Sequence, residues 1–184
     1  MQASEIPMYV CGHVPDLLAK TTQRMQALGF RPKAVASVKT QDPVKGCIDA
    51  HGMMAAAAEA DGNSWYVGIE QNVEATDHFC LRTIQDAIAA LTELQLDVVM
   101  LSTLTLPFYF LNRRAQRINQ SVWKKSAPTC ERSQAAVYRT AFALRLARQE
   151  YKPRTVGNAW DWLILPQYVT YKAPFKRTAG TSTT

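Results

Sequence analysis

The segment WYVGIEQN, residues 65–72, decides how this chain folds. Its first five residues, 65–69, are apolar and rich in aromatic and β-branched side chains, a composition that favours a buried strand. The strand pattern stops at three polar residues, Glu70, Gln71 and Asn72. Because ligands bind at the carboxyl ends of strands in open α/β sheets, this polar end is also a candidate functional site.

The sequence on both sides of this strand alternates between strand and helix patterns. Further strands are predicted at 7–11, 34–38, 96–101 and 133–138, with a last extended segment at 163–171. Helices are predicted at 15–28, 48–60, 77–94 and 140–149. This order predicts an α/β sandwich with a mostly parallel central sheet and helices on both faces. We expect one domain over residues 1–175 and a polar C-terminal tail over 176–184.

Composition excludes several classes of protein. The chain has 184 residues, of which 47% are hydrophobic and 20% charged, so it is neither disordered nor of low complexity. Four cysteines are too few for a disulfide scaffold, and no C-x-x-C pair is present. Residues 1–10 lack a signal-peptide pattern, and the most apolar stretch, 97–112, is shorter than a membrane span. We therefore expect a cytoplasmic protein without a transmembrane segment.

Charge is unevenly distributed along the chain. Residues 1–100 contain 7 Lys and Arg against 12 Asp and Glu, whereas residues 101–184 contain 14 against 3. A basic C-terminal half indicates an anionic partner such as a nucleotide, a nucleic acid or an acidic surface. A solvated basic face is the alternative interpretation, and both stay open at this point.

The common nucleotide and hydrolase motifs are absent. The eight glycines form neither G-x-G-x-x-G nor G-x-x-x-x-G-K, which excludes the Rossmann dinucleotide fingerprint and the P-loop. There is no G-x-S-x-G elbow. The three histidines, at 13, 51 and 78, show no metal-ligand spacing among themselves.

Several short segments resemble one enzyme family. GCIDAH, residues 46–51, resembles the "GCxxSH" helix start of glycosyltransferase family 25, which includes bacterial lipooligosaccharide and procollagen galactosyltransferases. IEQNV, residues 69–73, with Phe79 after it, stands where that family has "LEDDV" and an aromatic residue. The family's other elements have similar segments here in the same order, at residues 8–10, 28–30, 97–101, 133–148 and 160–162.

The resemblance implies a GT-A-type, Rossmann-like fold. It also implies inverting transfer of a hexose from a nucleotide sugar of the UDP-sugar class to a hydroxyl of a glycan or protein, as in lipopolysaccharide biosynthesis. The family's acidic motif binds a divalent metal, but Gln71 and Asn72 replace two of its carboxylates here. Because Mn²⁺ and Mg²⁺ prefer carboxylate oxygens, we expect weak metal binding, with Glu70 the remaining ligand.

Candidate roles follow from the charge that develops during such a transfer. A departing diphosphate needs cations, and the acceptor hydroxyl must give its proton to a base. Asp161, between two tryptophans, and Glu70 are the candidate catalytic residues, and we expect them to line one cleft. The candidate donor-binding residues are Gln71, Asn72, His51, Arg113, Arg114 and Arg132.

Two other functions stay open. The amides at 71 and 72 also fit a catalytically degenerate member of the fold that serves as a binding or structural component of an assembly. The basic half fits a nucleic-acid-binding protein, although no nucleic-acid motif accompanies it, so nucleic acid is not the expected partner.

Overall fold

The computed structural model of the chain describes residues 1–102, 116–124, 134–148, 168–170 and 173–178. The helices are α1 (Pro15–Ala27), α2 (Pro43–Ala60), α3 (Leu81–Glu93) and α4 (Thr140–Ala147), after a 3₁₀ turn at Ala3–Glu5. The strands are β1 (Met8–Gly12), β2 (Lys33–Ala36), β3 (Trp65–Glu70), β4 (Val73–Ala75), β5 (Val98–Met100), β6 (Gln116–Arg117), β7 (Val122–Lys124), β8 (Ala135–Arg139), β9 (Tyr168–Thr170) and β10 (Phe175–Arg177).

Eight of these strands form one sheet in the order β2-β1-β3-β8-β5-β9-β7-β6. The chain is thus an α/β protein, as predicted, but its sheet is mixed rather than mostly parallel. Strands β1, β2 and β3 run parallel, and β8 runs antiparallel to both β3 and β5. The prediction of a mostly parallel sheet fails here because an apolar run identifies a buried strand without specifying its direction.

Helices cover both faces of the sheet, which confirms that part of the prediction. Side chains alternate along each strand, so neighbouring residues of β1 enter different cores: Val10 joins the core under α1 and α3, whereas Tyr9 joins the core under α2 and α4. The same alternation divides Val67 from Tyr66 and Val137 from Tyr138. The sheet therefore separates two apolar layers.

Local sequence explains where the first helix begins and ends. Pro15 is the first residue of α1, a position where the missing N–H costs no helical hydrogen bond. The helix stops before Gly29, whose φ of 89° lies in the left-handed region that favours glycine. Only residues 13 and 14 therefore separate the end of β1 from the start of α1.

The C-terminal boundary differs from the expected one. Lys176 and Arg177, which the sequence assigned to a tail over 176–184, belong to β10, and β10 pairs antiparallel with β4. Phe175 is fully buried in the core on the α1 and α3 face. No helix among the described residues is both long and apolar enough to cross a membrane.

Candidate functional site

A cavity of about 270 Å³ opens at the carboxyl ends of the parallel strands β1 and β3. The end of β1, the 37–41 loop, the first half of α2 and the end of β3 with the two residues after it form its walls. In open α/β sheets, the edge where parallel strands end is the usual place for a ligand. The cavity is therefore the candidate functional site of the described part of the chain.

Four of the residues singled out in the sequence line this cavity together. They are His51 from α2, and Glu70, Gln71 and Asn72 from the end of β3. These side chains come from two segments that are about twenty residues apart in sequence. The remaining candidates, Asp161, Arg113, Arg114 and Arg132, lie outside the described residues, so the expectation of a common cleft for Glu70 and Asp161 stays a prediction.

Three side chains of different chemistry converge on the wall between α2 and β3. His51 Nε2 lies 3.7 Å from Glu70 Oε1. The donor atoms of Cys47, His51 and Glu70 all lie within 4.8 Å of one another. His51 is 1% exposed and the Glu70 carboxylate 25% exposed, so the cluster reaches from the protein interior into the cavity.

Gln71 forms hydrogen bonds with the turn between β1 and α1 and with α1 itself. Its Oε1 accepts a hydrogen bond of 2.8 Å from the Val14 N–H, and its backbone carbonyl accepts one of 2.6 Å from the Thr21 hydroxyl. Gln71 is 5% exposed and Asn72 is 3% exposed. Both amides are thus largely withdrawn from solvent.

This strand end does not fit the Mn²⁺ or Mg²⁺ that the family resemblance implies. Among residues 70–72 only Glu70 has a carboxylate, and the Gln71 oxygen already accepts a backbone N–H. Hard cations of this kind select several carboxylate or water oxygens. Manganese or magnesium binding stays a prediction from the resemblance, and the residues present do not support it.

Two buried groups beside the cluster stay uncharged: Cys11, which lines the cavity, and Tyr138, which packs against His51. Burial, and then the proximity of Glu70 and Cys47, raises the pKa of the Cys11 thiol well above its usual range. Burial likewise raises the pKa of Tyr138, and the Tyr138 ring packs edge-on against His51 with a centroid distance of 5.4 Å. These groups give the polar cluster a neutral, tightly packed support.

Sequence reasoning missed two residues of this site. Cys47 is not among the candidate residues of the sequence analysis, and it lines the cavity beside His51. The four-residue spacing of Cys47 and His51 was the available signal, because residues four apart lie on one face of a helix. Lys39, from the 37–41 loop, also lines the cavity, and no motif in the sequence marked this lysine.

Comparison with known proteins adds no family assignment. The chain matches no protein-family model and no curated protein sequence. The cavity and the residues that form it are therefore the basis for inferring a function.

Proposed function

We propose that this chain is a glycosyltransferase with a GT-A-like fold, which transfers a hexose from a nucleotide sugar, of the UDP-sugar class, to a hydroxyl acceptor with inversion. One observation supports the proposal above the others. His51 and Glu70, which come from two separate segments that resemble family 25 motifs, meet in one cavity at the carboxyl ends of β1 and β3. A cytoplasmic role in glycan biosynthesis belongs to the same proposal.

The residues at the cavity fit two requirements of this reaction. Lys39 supplies a positive charge at the cavity wall, where a departing diphosphate would gain negative charge. Glu70 presents a partly exposed carboxylate that can accept the proton of an acceptor hydroxyl. Asp161 is the second candidate base, and the three arginines at 113, 114 and 132 are the further candidate cations.

Nucleotide binding is the first test. Calorimetric titration of UDP into chelator-stripped protein should give one site per chain, with the same affinity before and after addition of Mn²⁺. Independence from Mn²⁺ is expected because the strand end offers one carboxylate where the family has three acidic residues. Strong Mn²⁺-dependent binding would contradict this account of Gln71 and Asn72.

A pair of lysine variants locates the binding site. Lys39→Ala should weaken UDP binding by about tenfold, the effect of losing roughly 1.4 kcal/mol of a charge interaction with the diphosphate. Lys20→Ala is the matched control, since Lys20 is an exposed residue of α1 that does not line the cavity. Equal affinities for the two variants would place the nucleotide elsewhere.

A catalytically degenerate binding protein is the second candidate function. This candidate is supported by the burial of Gln71 and Asn72 and by the hydrogen bond from the Val14 N–H to Gln71. These contacts give the strand end a structural role in place of a metal-binding one. Incubation with UDP-hexoses and measurement of released UDP discriminates the two functions. UDP binding without hydrolysis or transfer, across UDP-glucose, UDP-galactose and their N-acetyl forms, would favour the degenerate protein.

A further inference from the structure

We propose that Cys47, His51 and Glu70 form a three-ligand site for Zn²⁺, with a fourth coordination position open to the cavity. The ligands are a thiolate sulfur, an imidazole nitrogen and a carboxylate oxygen. The site goes beyond the proposed sugar transfer, and it stands on the placement of these three side chains alone.

The backbone holds the three ligands on two rigid elements. Cys47 and His51 are four residues apart in α2, so their side chains project from one face of the helix, one turn apart. Glu70 is the last residue of β3, which lies in the centre of the sheet between β1 and β8. Helix α2 packs on this sheet through Met54 and Ala58, which are fully buried against the same core as Tyr66. Ligands mounted on packed elements lose little freedom on binding a metal.

The distances suit a tetrahedral ion after small side-chain movements. Zinc binds sulfur at about 2.3 Å and nitrogen or oxygen at about 2.0–2.2 Å, which places neighbouring tetrahedral ligands about 3.4–3.6 Å apart. The His51 Nε2 to Glu70 Oε1 distance is 3.7 Å, close to that separation. All three donor atoms already lie within 4.8 Å of one another, so a shortening of about 1 Å brings them to that separation.

The donor chemistry selects zinc over the hard cations. A thiolate is a soft ligand that Mg²⁺, Mn²⁺ and Ca²⁺ bind poorly, whereas one sulfur, one nitrogen and one oxygen suit Zn²⁺. Zinc sites with three protein ligands keep their fourth position for water or a substrate. Here the carboxylate of Glu70 is partly exposed and all three residues line the cavity, so that position faces the space where a ligand would enter.

A bound zinc ion would also offset negative charge at the cavity wall. Gln71 and Asn72 are neutral, and a divalent ion would balance the Glu70 carboxylate and the Cys47 thiolate, while its open position would accept a further oxygen ligand. Glu70 would then be a metal ligand, and the proton-accepting role in the proposed transfer would pass to Asp161. This consequence rests on the proposed function, whereas the metal site itself does not.

Metal binding is measured with the full chain and the metal alone. Purified protein is stripped with a chelator and titrated with Zn²⁺ by calorimetry, and with Co²⁺ as a spectroscopic substitute. We expect one equivalent of metal per chain. The cobalt form should show a thiolate-to-metal charge-transfer band and the intense visible bands of a four-coordinate ion. Absence of stoichiometric binding, or a cobalt spectrum without thiolate character, would overturn the proposal.

Variants then assign the ligands. Cys47→Ser should abolish the charge-transfer band, and Glu70→Gln should lower zinc affinity by about a hundredfold or more, since even changes beyond the direct ligands cost about 10–100-fold. Both residues are partly exposed, so both variants should fold, which circular dichroism checks. No His51 variant is used, because His51 is buried and replacing it would disturb the packing of the core.

A matched control uses the exposed pair His78 and Cys80. The His78→Gln, Cys80→Ser variant removes one histidine and one cysteine from the surface away from the cavity. It should keep the stoichiometry, the affinity and the cobalt spectrum of the unmodified chain. If this control loses the metal while Cys47→Ser and Glu70→Gln keep it, the site lies elsewhere and the proposal is wrong. Because no nucleotide is present, failure of UDP binding leaves this result unaffected.

Discussion

Gly12 is the residue at which the end of β1 comes closest to the segment after β3. A Cβ atom placed on Gly12 would lie 2.1 Å from Gln71 Oε1 and 2.4 Å from Gln71 Cβ. Only a residue without a side chain leaves room for Gln71 to accept the Val14 N–H. The glycine therefore allows the strand end and the first strand–helix turn to pack together at the cavity.

Replacement of this glycine tests that close contact. Gly12→Ala should displace Gln71 and lower the free energy of unfolding by about 1–3 kcal/mol, the usual cost of overpacking a tight site. Urea denaturation of both proteins measures the difference. A stability equal to that of the unmodified chain would mean that Gln71 moves aside at no cost, and that its bond to Val14 contributes little.

Tyr9 provides a second prediction at the scale of one residue. Its hydroxyl donates to Asp61 Oδ2 at 2.8 Å and accepts from Asn63 Nδ2 at 2.9 Å. Burial and the bond to Asp61 raise the pKa of Tyr9 to about 12, from 10.0. The folded state thus holds this proton more tightly than the unfolded state. Its contribution to stability is complete below pH 10 and is lost as the pH rises through about 12.

The Tyr9→Phe variant removes this titrating group. We expect it to lower the free energy of unfolding at pH 8 by about 1 kcal/mol, the net contribution of a typical hydrogen bond. The fall in stability between pH 10 and pH 12 should be shallower than in the unmodified chain. Denaturation at several pH values gives both quantities, and parallel curves for the two proteins would refute this role of Tyr9.

At the scale of elements, a buried carboxylate attaches the β6–β7 turn to helix α3. Asp86 is 5% exposed; its Oδ1 accepts from Arg82 Nε at 2.9 Å, and its Oδ2 accepts from the Ser121 hydroxyl at 2.6 Å. Its backbone carbonyl also accepts from Asn119 Nδ2 at 2.8 Å. These bonds satisfy a charge that would otherwise be costly to bury, and they fix one edge of the sheet.

Removal of this carboxylate should loosen the attachment. Asp86→Ala should lower the free energy of unfolding by about 2–3 kcal/mol, because Ser121 loses a charged partner in a mostly buried place. Hydrogen exchange should rise mainly at residues 116–124. Glu93→Ala, at the exposed end of the same helix, is the control and should change neither quantity appreciably. Equal effects of the two changes would contradict the role assigned to Asp86.

At the scale of the whole molecule, one sheet joins two apolar cores. Strands β1, β3, β5 and β8 each contribute residues to both cores, so loss of one core destabilises strands that the other core also needs. We expect unfolding in urea to be a single cooperative transition. Circular dichroism and tryptophan fluorescence should give the same midpoint. Two separated transitions would show that the faces unfold independently, and would contradict the single domain expected over residues 1–175.

The sequence by itself predicted the α/β class, the strand 65–69 and the helices on both faces. Apolar periodicity specifies these features locally, because a strand or helix must bury its apolar side whatever its neighbours are. It also predicted the polar end of β3 as a candidate site, since ligand positions in such sheets follow strand ends. The predicted site residues that lie in the described part of the chain are His51, Glu70, Gln71 and Asn72, and all four line the cavity.

Tertiary structure alone decided the direction of β8, the pairing of β10 with β4 and the cluster of Cys47, His51 and Glu70. Pairing direction depends on which strands become neighbours, and no local pattern records that choice. The cluster likewise depends on which turn of α2 packs beside the end of β3. From sequence alone, a cysteine in an apolar helix fits a core position as well as a ligand position. Only the partners that packing places beside Cys47 give it a candidate role.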